Sequence, residues 1–507
     1  MKTLLELVRI ITKNKARHIE VLGMASNNDT KAMHLYDALC AGKVKTDEEA
    51  LQHLYGSARN YSSYRNLKAS LKKRLINSVL FINLADSSLN EQERAFYTCH
   101  KDWAAVRVLL RMGARQAAIR LAEKTLKQAL RFDLTEIVVQ ASQVLRFHYG
   151  TRVGNLKKMQ EYSQLHRKYA QAWQSESLAE EYYTLLVADY INERAAKADA
   201  CRQALAYYEN LEEAMAEFQT YRLLFLGHLI RIIAYRSAND YRMTVKSCEE
   251  AVRAFEAKDY EVKTPIYTFL HQQILAHIQL KQFEKAERTS CKAAQLIPAG
   301  TVNWFVNMEV LLILSLHTRQ YQRAYEVYRE AVSHRGFQKL REVDKEQWRI
   351  NEAYIHFLLE IGKASEPEGP FRKFRLGKFL NEVPVFSRDK QGLNVPILII
   401  QTLFLIVKKR YKEAIDRIDA INKYRVRYLY KDKALKRSNY FVKMLLQIPQ
   451  SGFHKAGVLR RSEKYYQQLK AIPLEVANQT HGIEIIPYED LWEFALESLD
   501  TKFYKRR

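Results

Sequence analysis

Apolar residues recur along most of the chain at steps of three and four, the spacing that lines one face of an α-helix. The clearest stretch is Phe269–Pro298, FLHQQILAHIQLKQFEKAERTSCKAAQLIP. It divides near Leu280–Gln282 into two amphipathic segments, which predicts two helices joined by a tight turn. Ala286, Ser290 and Ala293 put small side chains on one face of the second helix, so the first can pack close against it. Pro298 has no N–H to donate and clashes with the turn before it, so it closes the unit.

The second-helix pattern recurs around Ala118, Thr244, Ala286, Ala324 and Ala414. Tyr241, Phe283, Tyr321 and Tyr411 each stand three residues before the small anchor. The anchors from Thr244 to Ala324 are spaced by about 40 residues, and the wider gap to Ala414 accommodates two units with one degenerate member. Between Ala118 and Thr244 there is room for two further pairs, at 134–172 and 176–212. Small residues, an aromatic lead and a closing proline at these offsets resemble the tetratricopeptide (TPR) repeat. The spacing exceeds that family's period of about 34, which implies extended helices or loops. The resemblance covers roughly 89–470 and is strongest from 240 to 335. It implies an all-α fold: a right-handed α-solenoid of about eight or nine antiparallel helix pairs, with a groove that takes a helix or peptide. A HEAT-like or irregular α-solenoid fits the same pattern.

Both ends depart from the repeat. Residues 1–88 predict an N-terminal helical module with helices over Leu4–Leu22, Thr30–Ala41, from Thr46 to Leu54 and Tyr64–Leu84. Thr46 followed by Glu49 is a capping box. Leu67, Leu71, Leu75, Val79 and Ile82 form the stripe of the last helix, flanked by Arg65, Lys68, Lys72 and Lys73. This is either a basic cap on the solenoid or a helix-turn-helix. The repeats then run over 89–340. A basic, partly degenerate set spans 341–470, interrupted by SEPEGP at 365–370 and by the polar stretch 387–396. In 471–507, Pro487 opens a final helix with Leu491, Trp492, Ala495, Leu496 and Leu499 as its apolar stripe. That helix either caps the last repeat or fills a groove as an autoinhibitory segment. Val395–Val407 is the longest apolar run and is too short to span a bilayer of about 30 Å.

Composition supports helix throughout: the 507 residues include only 16 Gly and 9 Pro. The five cysteines, at 40, 99, 201, 248 and 291, are far apart and contain no C-x-x-C pair, so reduced thiols and a cytoplasmic location are expected. No nucleotide-binding, zinc-protease or nucleophile-elbow motif occurs, and the 14 histidines are scattered. The expectation is a protein that is not an enzyme and holds no cofactor or metal.

Charge changes the picture. The chain carries a formal +24, and residues 371–470 hold 24 Lys and Arg against 7 Asp and Glu. Residues 1–85 hold 14 against 7, while 471–507 hold 4 against 7. In FRKFRLGKF (371–379) and KYRVRYLYKDKALKR (423–437), basic residues alternate with Phe and Tyr. The candidate partner-binding residues are therefore Arg372, Lys373, Arg375, Lys378, Lys423, Arg425, Arg427, Lys431, Lys433, Lys436 and Arg437. Such a surface suits an acidic protein or peptide, since Arg pairs bidentately with carboxylates. It also suits nucleic acid, since cations neutralise phosphates and rings stack on bases. A solvated basic face with tyrosines packed between helices is the third reading. A protein-interaction scaffold leads; nucleic-acid association is the alternative.

Overall fold

The turns explain the architecture. In the computed structural model, residues 1–13, 31–56, 60–80, 89–192, 197–366, 374–381, 394–426, 436–472, 474 and 484–501 are described. Within them, helix after helix ends on a left-handed residue and reverses direction. The helix Lys263–Gln279 ends at Leu280, Lys281 takes φ 56°, and Gln282 N–H donates to the His277 carbonyl at 2.8 Å. That six-to-one bond defines a Schellman motif and satisfies a carbonyl the helix end would otherwise leave unpaired. The same bond closes the turns at Asn239, Arg319 and Lys409, each with φ 58°. Gly362 and Gly452 occupy the equivalent position in two more turns. A side chain strains the left-handed region, so glycine is the usual residue there; here lysine, arginine and asparagine occupy it in turns closed by the six-to-one bond.

The described residues divide into two compact units, 1–174 with 259–261, and 175–258 with 262–507. The first begins with α1 (Lys2–Lys13), α2 (Lys31–Cys40), α3 (Asp47–Tyr55) and α4 (Tyr61–Val79). Thr46 and Glu49 form the expected capping box, with Thr46 Oγ1 accepting from Glu49 N–H at 3.2 Å. Leu4, Val8, Leu35, Tyr36, Tyr64, Leu71 and Leu75 build the core of these helices. The stripe on α4 is therefore real at Leu71 and Leu75, whereas Val79 is exposed and Ile82 lies outside the described residues. Lys68 is half-buried and bonded to Asp47, which also accepts from the Tyr64 hydroxyl, each at 2.6 Å. Arg65, Lys72 and Lys73 are exposed. Next come α5 (Glu91–Arg111), α6 (Arg115–Arg131) and α7 (Thr135–His148), with α6 packed between the other two.

The expected pairs at 134–172 and 176–212 are not separate units: His166 Nδ1 lies 3.1 Å from the Val139 carbonyl and the Tyr182 ring stacks on Tyr207 at 3.9 Å, but one helix serves both pairs. A single helix, α8 (Leu156–Asn192), runs through both, about 55 Å at 1.5 Å per residue. Its 37 residues contain neither Gly nor Pro, so nothing in the sequence ends it sooner.

From α9 (Lys197–Phe218) the second unit is a succession of packed neighbours: α10 (Tyr221–Ser237), α11 (Tyr241–Glu256), α12 (Lys263–Gln279), α13 (Phe283–Gln295), α14 (Val302–His317) and α15 (Tyr321–Ser333). The small anchors Thr244, Ala286 and Ala324 are fully buried, as are Ser290, Ala293 and Ala331 one or two turns on. Then α16 (Glu342–Glu360) and the short α17 (Leu376–Asn381) replace a pair, and α16 packs directly on α18 (Asn394–Val407). This stretch stands where a degenerate member is expected, and 367–373 and 382–393 lie outside the described residues. Pairing resumes with α18 and α19 (Tyr411–Tyr424), then α20 (Lys436–Gln450) and α21 (Lys455–Lys470). The apolar run 395–407 is a buried core helix: Ile399, Ile400, Leu403 and Ile406 are fully covered. No described helix is long and apolar enough to cross a membrane.

Consecutive helices packed on their neighbours make this an all-α, helical-repeat arrangement.

The last helix, α22 (Tyr488–Glu497), does more than cover one end. It packs on α18, α20 and α21. Its acids meet the basic turns of earlier pairs. Asp490 and Glu493 bind Arg319, Glu497 binds Lys363 at 3.0 Å, and Asp500 binds Lys409 at 2.6 Å. Ile486, Tyr488, Leu491, Trp492, Phe494, Ala495 and Leu499 are all buried. At about 1.5–3 kcal/mol for each large side chain, burial holds α22 by on the order of 10 kcal/mol before entropy, while exposed ion pairs add about 0–1 each. Such a helix is an integral part of the second unit's core.

Candidate interaction surface

The basic residues singled out from the sequence divide into three groups. Arg372, Lys373, Arg427, Lys431 and Lys433 lie outside the described residues, as does the side chain of Lys378. Arg375, Lys423 and Lys436 are exposed, and Arg425 is half-buried. Arg437 is buried, and this corrects its place on a partner-facing surface.

Arg437 stands in the first turn of α20 with its side chain 3 % exposed. Its guanidinium donates to Glu484 Oε1 from Nε at 2.6 Å and to Glu484 Oε2 from Nη2 at 3.2 Å. Nη2 also donates to Glu489 at 2.6 Å, and Nη1 to the Leu469 and Ile472 carbonyls at 3.1 and 2.8 Å. All five N–H donors are thus used. Burial alone would disfavour the charged form, but Glu484 and Glu489 outweigh it and raise the pKa further above the usual arginine range. Glu484 is fixed in turn by Tyr488 N–H at 2.9 Å, and its carbonyl accepts from His317 Nε2. The residue ties α20 to the C-terminal segment and to the end of α21. It is positioned by carboxylates 47 and 52 residues further along the chain, so nothing in its own neighbourhood marked it as buried.

Arg425 is held quite differently. It caps α19, with Nε donating to Asn422 Oδ1 at 3.0 Å and Nη1 to Asn439 Oδ1 at 3.2 Å. Asn439 places it beside α20, one turn from Lys443. The Lys443 ammonium lies 5.1 Å from the Tyr440 ring and 5.6 Å from the Tyr465 ring of α21, whose neighbour is Lys464. Burial lowers the Lys443 pKa, and Arg425 and Lys464 lower it further, since both act on it as like charges. Three cations from α19, α20 and α21 thus share one corner.

Lys443 and Lys464 were missed from the sequence. The first sits in an apolar stretch, YFVKMLLQI, and the second in a mixed helix. One signal existed: Lys436, Tyr440 and Lys443 fall on one helical face.

No acidic or thiol cluster able to hold a metal occurs among the described residues. Cys99 and Cys248 are buried, and burial pushes their thiols up to about 11 and about 12, away from the reactive thiolate. No family model, curated protein or solved structure matches the chain.

Proposed function

We propose that this protein is a non-enzymatic interaction scaffold whose α19–α21 edge receives an acidic segment of a partner protein. One observation carries the reading. Around α22, Arg319, Lys363, Lys409 and Arg437 each bind a carboxylate. At the α19–α21 corner, among the described residues, Arg425 and Lys443 bond or face neutral groups, Asn422, Asn439, Tyr440 and Tyr465, and no carboxylate pairs with them. Uncompensated positive charge costs self-repulsion, and an acidic partner relieves it while being steered on approach. The core position of α22 supports a partner docking on this outer edge rather than displacing that helix. In our reading the repeats form a right-handed, TPR-like superhelix in the cytoplasm.

The test is a titration with a labelled glutamate-rich peptide at several salt concentrations. Arg425→Glu with Lys464→Glu should weaken binding about tenfold while leaving helical content unchanged; unaltered affinity rejects the reading. Nucleic acid is the second reading, favoured by the further exposed cations Lys423, two residues from Arg425, and Lys436, at the start of α20. It predicts tighter capture of an oligonucleotide, with log K falling steeply and linearly against log salt.

A further inference from the structure

We propose that the corner formed by Arg425, Lys443 and Lys464 recognises a phosphorylated side chain within the partner segment. This rests on the acidic-partner reading above and narrows it to one anionic group.

The posture of Arg425 is the first argument. Where an arginine meets a carboxylate, its position and its charge are settled together: Arg341 by Asp344, Arg410 by Glu413, Arg437 by Glu484; Arg236, which donates to Gln272 Oε1, is held by an amide oxygen instead. Arg425 is fixed by two amide oxygens, Asn422 and Asn439, which orient the guanidinium without neutralising it. Among the described residues, its Nη2 end has no hydrogen-bond acceptor. A preorganised, uncancelled fork matches the geometry of a phosphate.

The charge at the corner is the second. A carboxylate brings one negative charge, and three cations need more. A phosphorylated serine, threonine or tyrosine brings about −1.5 to −2 at pH 7, with three acceptor oxygens on one atom. The corner gathers cations from three neighbouring helices, with Arg425 bonded to Asn439 one turn from Lys443, and Lys464 next to Tyr465, whose ring the Lys443 ammonium faces; this suits one compact dianion better than carboxylates spread along a strand. Convergence also argues against nucleic acid, whose phosphates require a track of cations. The rings of Tyr440 and Tyr465, which a base would stack on, already face the Lys443 ammonium.

The experiment uses the full chain and three labelled peptides of glutamate and glycine that differ at one central residue: serine, phosphoserine or glutamate. Anisotropy titrations should give about tenfold tighter binding for the phosphoserine peptide than for the glutamate one. Replacing Arg425, Lys443 and Lys464 together by Gln should erase that difference, with an unfolding midpoint matching the parent. A measurement on the unaltered protein removes dependence on the variant's folding: acetic anhydride labelling of Lys443, read by mass spectrometry, should fall when the phosphoserine peptide or inorganic phosphate is present. Equal affinity for the phosphoserine and glutamate peptides, or unprotected Lys443, overturns the inference. If those two peptides bind equally and Arg425→Glu weakens both, the acidic-partner reading survives alone. If no peptide binds, both fall. Preference for an oligonucleotide of equal charge, with a steep salt slope, also overturns the inference.

Discussion

Two arginines twelve positions apart show how little residue type decides. Arg425 and Arg437 occupy the same basic stretch, yet one is oriented by neutral amides at an open edge and the other is enclosed by carboxylates and carbonyls. Removing a buried partner leaves an uncompensated charge, which costs about 3–5 kcal/mol. Arg437→Met should therefore lower the stability of the second unit by that amount, read from urea unfolding. Replacing Glu484 by Leu in the same chain should recover part of the loss. Arg425→Met should cost less, about 1 kcal/mol, because it loses only hydrogen bonds to neutral amides at a half-buried site. In the first unit, Asp47 gives a residue-scale test of pH. Burial raises its pKa, but hydrogen bonds from Lys68 and Tyr64 prevail and bring it down to about 2. The folded value lies below the unfolded one, so the contribution is complete above about pH 4 and disappears as pH falls toward 2. Because Asp47 is a third exposed, we expect about 1–2 kcal/mol. Asp47→Asn should remove that part of the acid dependence, measured by urea unfolding at pH 2 and pH 5.

At the scale of elements, the small anchor is the feature that was most legible. Ala286 has no exposed surface, and α12 and α14 both pack near it through the cluster of Tyr267, Leu270, Ile274 and Val310. A larger side chain there must push a helix away. Ala286→Leu should cost about 1–3 kcal/mol by overpacking, whereas Ala286→Ser, close in volume and able to bond back to its own helix, should cost less. Calorimetry on the two variants checks the ranking. The helix pairs from α10 onward could be read because aromatic lead, small anchor and αL turn are all local. Capping at Thr46 and the start of α22 after Pro487 were local too. Elsewhere the deciding information was not local. Ending the pair at 134–172 before the next began at 176 required a break that no Gly or Pro supplies, so α8 continued from one into the other. The stripe of α22 was visible, but its route past Arg319, Lys363 and Lys409 depends on turns 90 to 170 residues earlier. The candidate surface suffered the same way: charge density pointed to the region, while burial of Arg437 and convergence of Lys443 with Lys464 needed three helices in place.

On the scale of the whole chain, acid should act on the second unit through buried histidines. His228, His271, His317 and His356 are each pushed down to about 4 by burial, and Arg231, Arg236 and Arg437 add to this at the first three. All four folded values lie below the ordinary histidine pKa of 6.5, so the unfolded chain binds more protons between pH 6.5 and 4. The stability they contribute is complete above about pH 6.5 and is lost as pH falls through that window. Each should give up about 1–2 kcal/mol by pH 5, a combined loss that rivals the stability of an ordinary domain. Net positive charge, already +24, rises over the same range and also destabilises a compact state. Salt separates the two causes, because ions screen repulsion between surface charges but leave buried imidazoles largely unscreened. Urea unfolding at pH 7 and pH 5 should thus show a large loss that persists at 0.5 M sodium chloride. His271→Gln with His356→Gln should flatten the pH dependence by roughly half. A loss that high salt abolishes would instead assign the acid sensitivity to the basic surface.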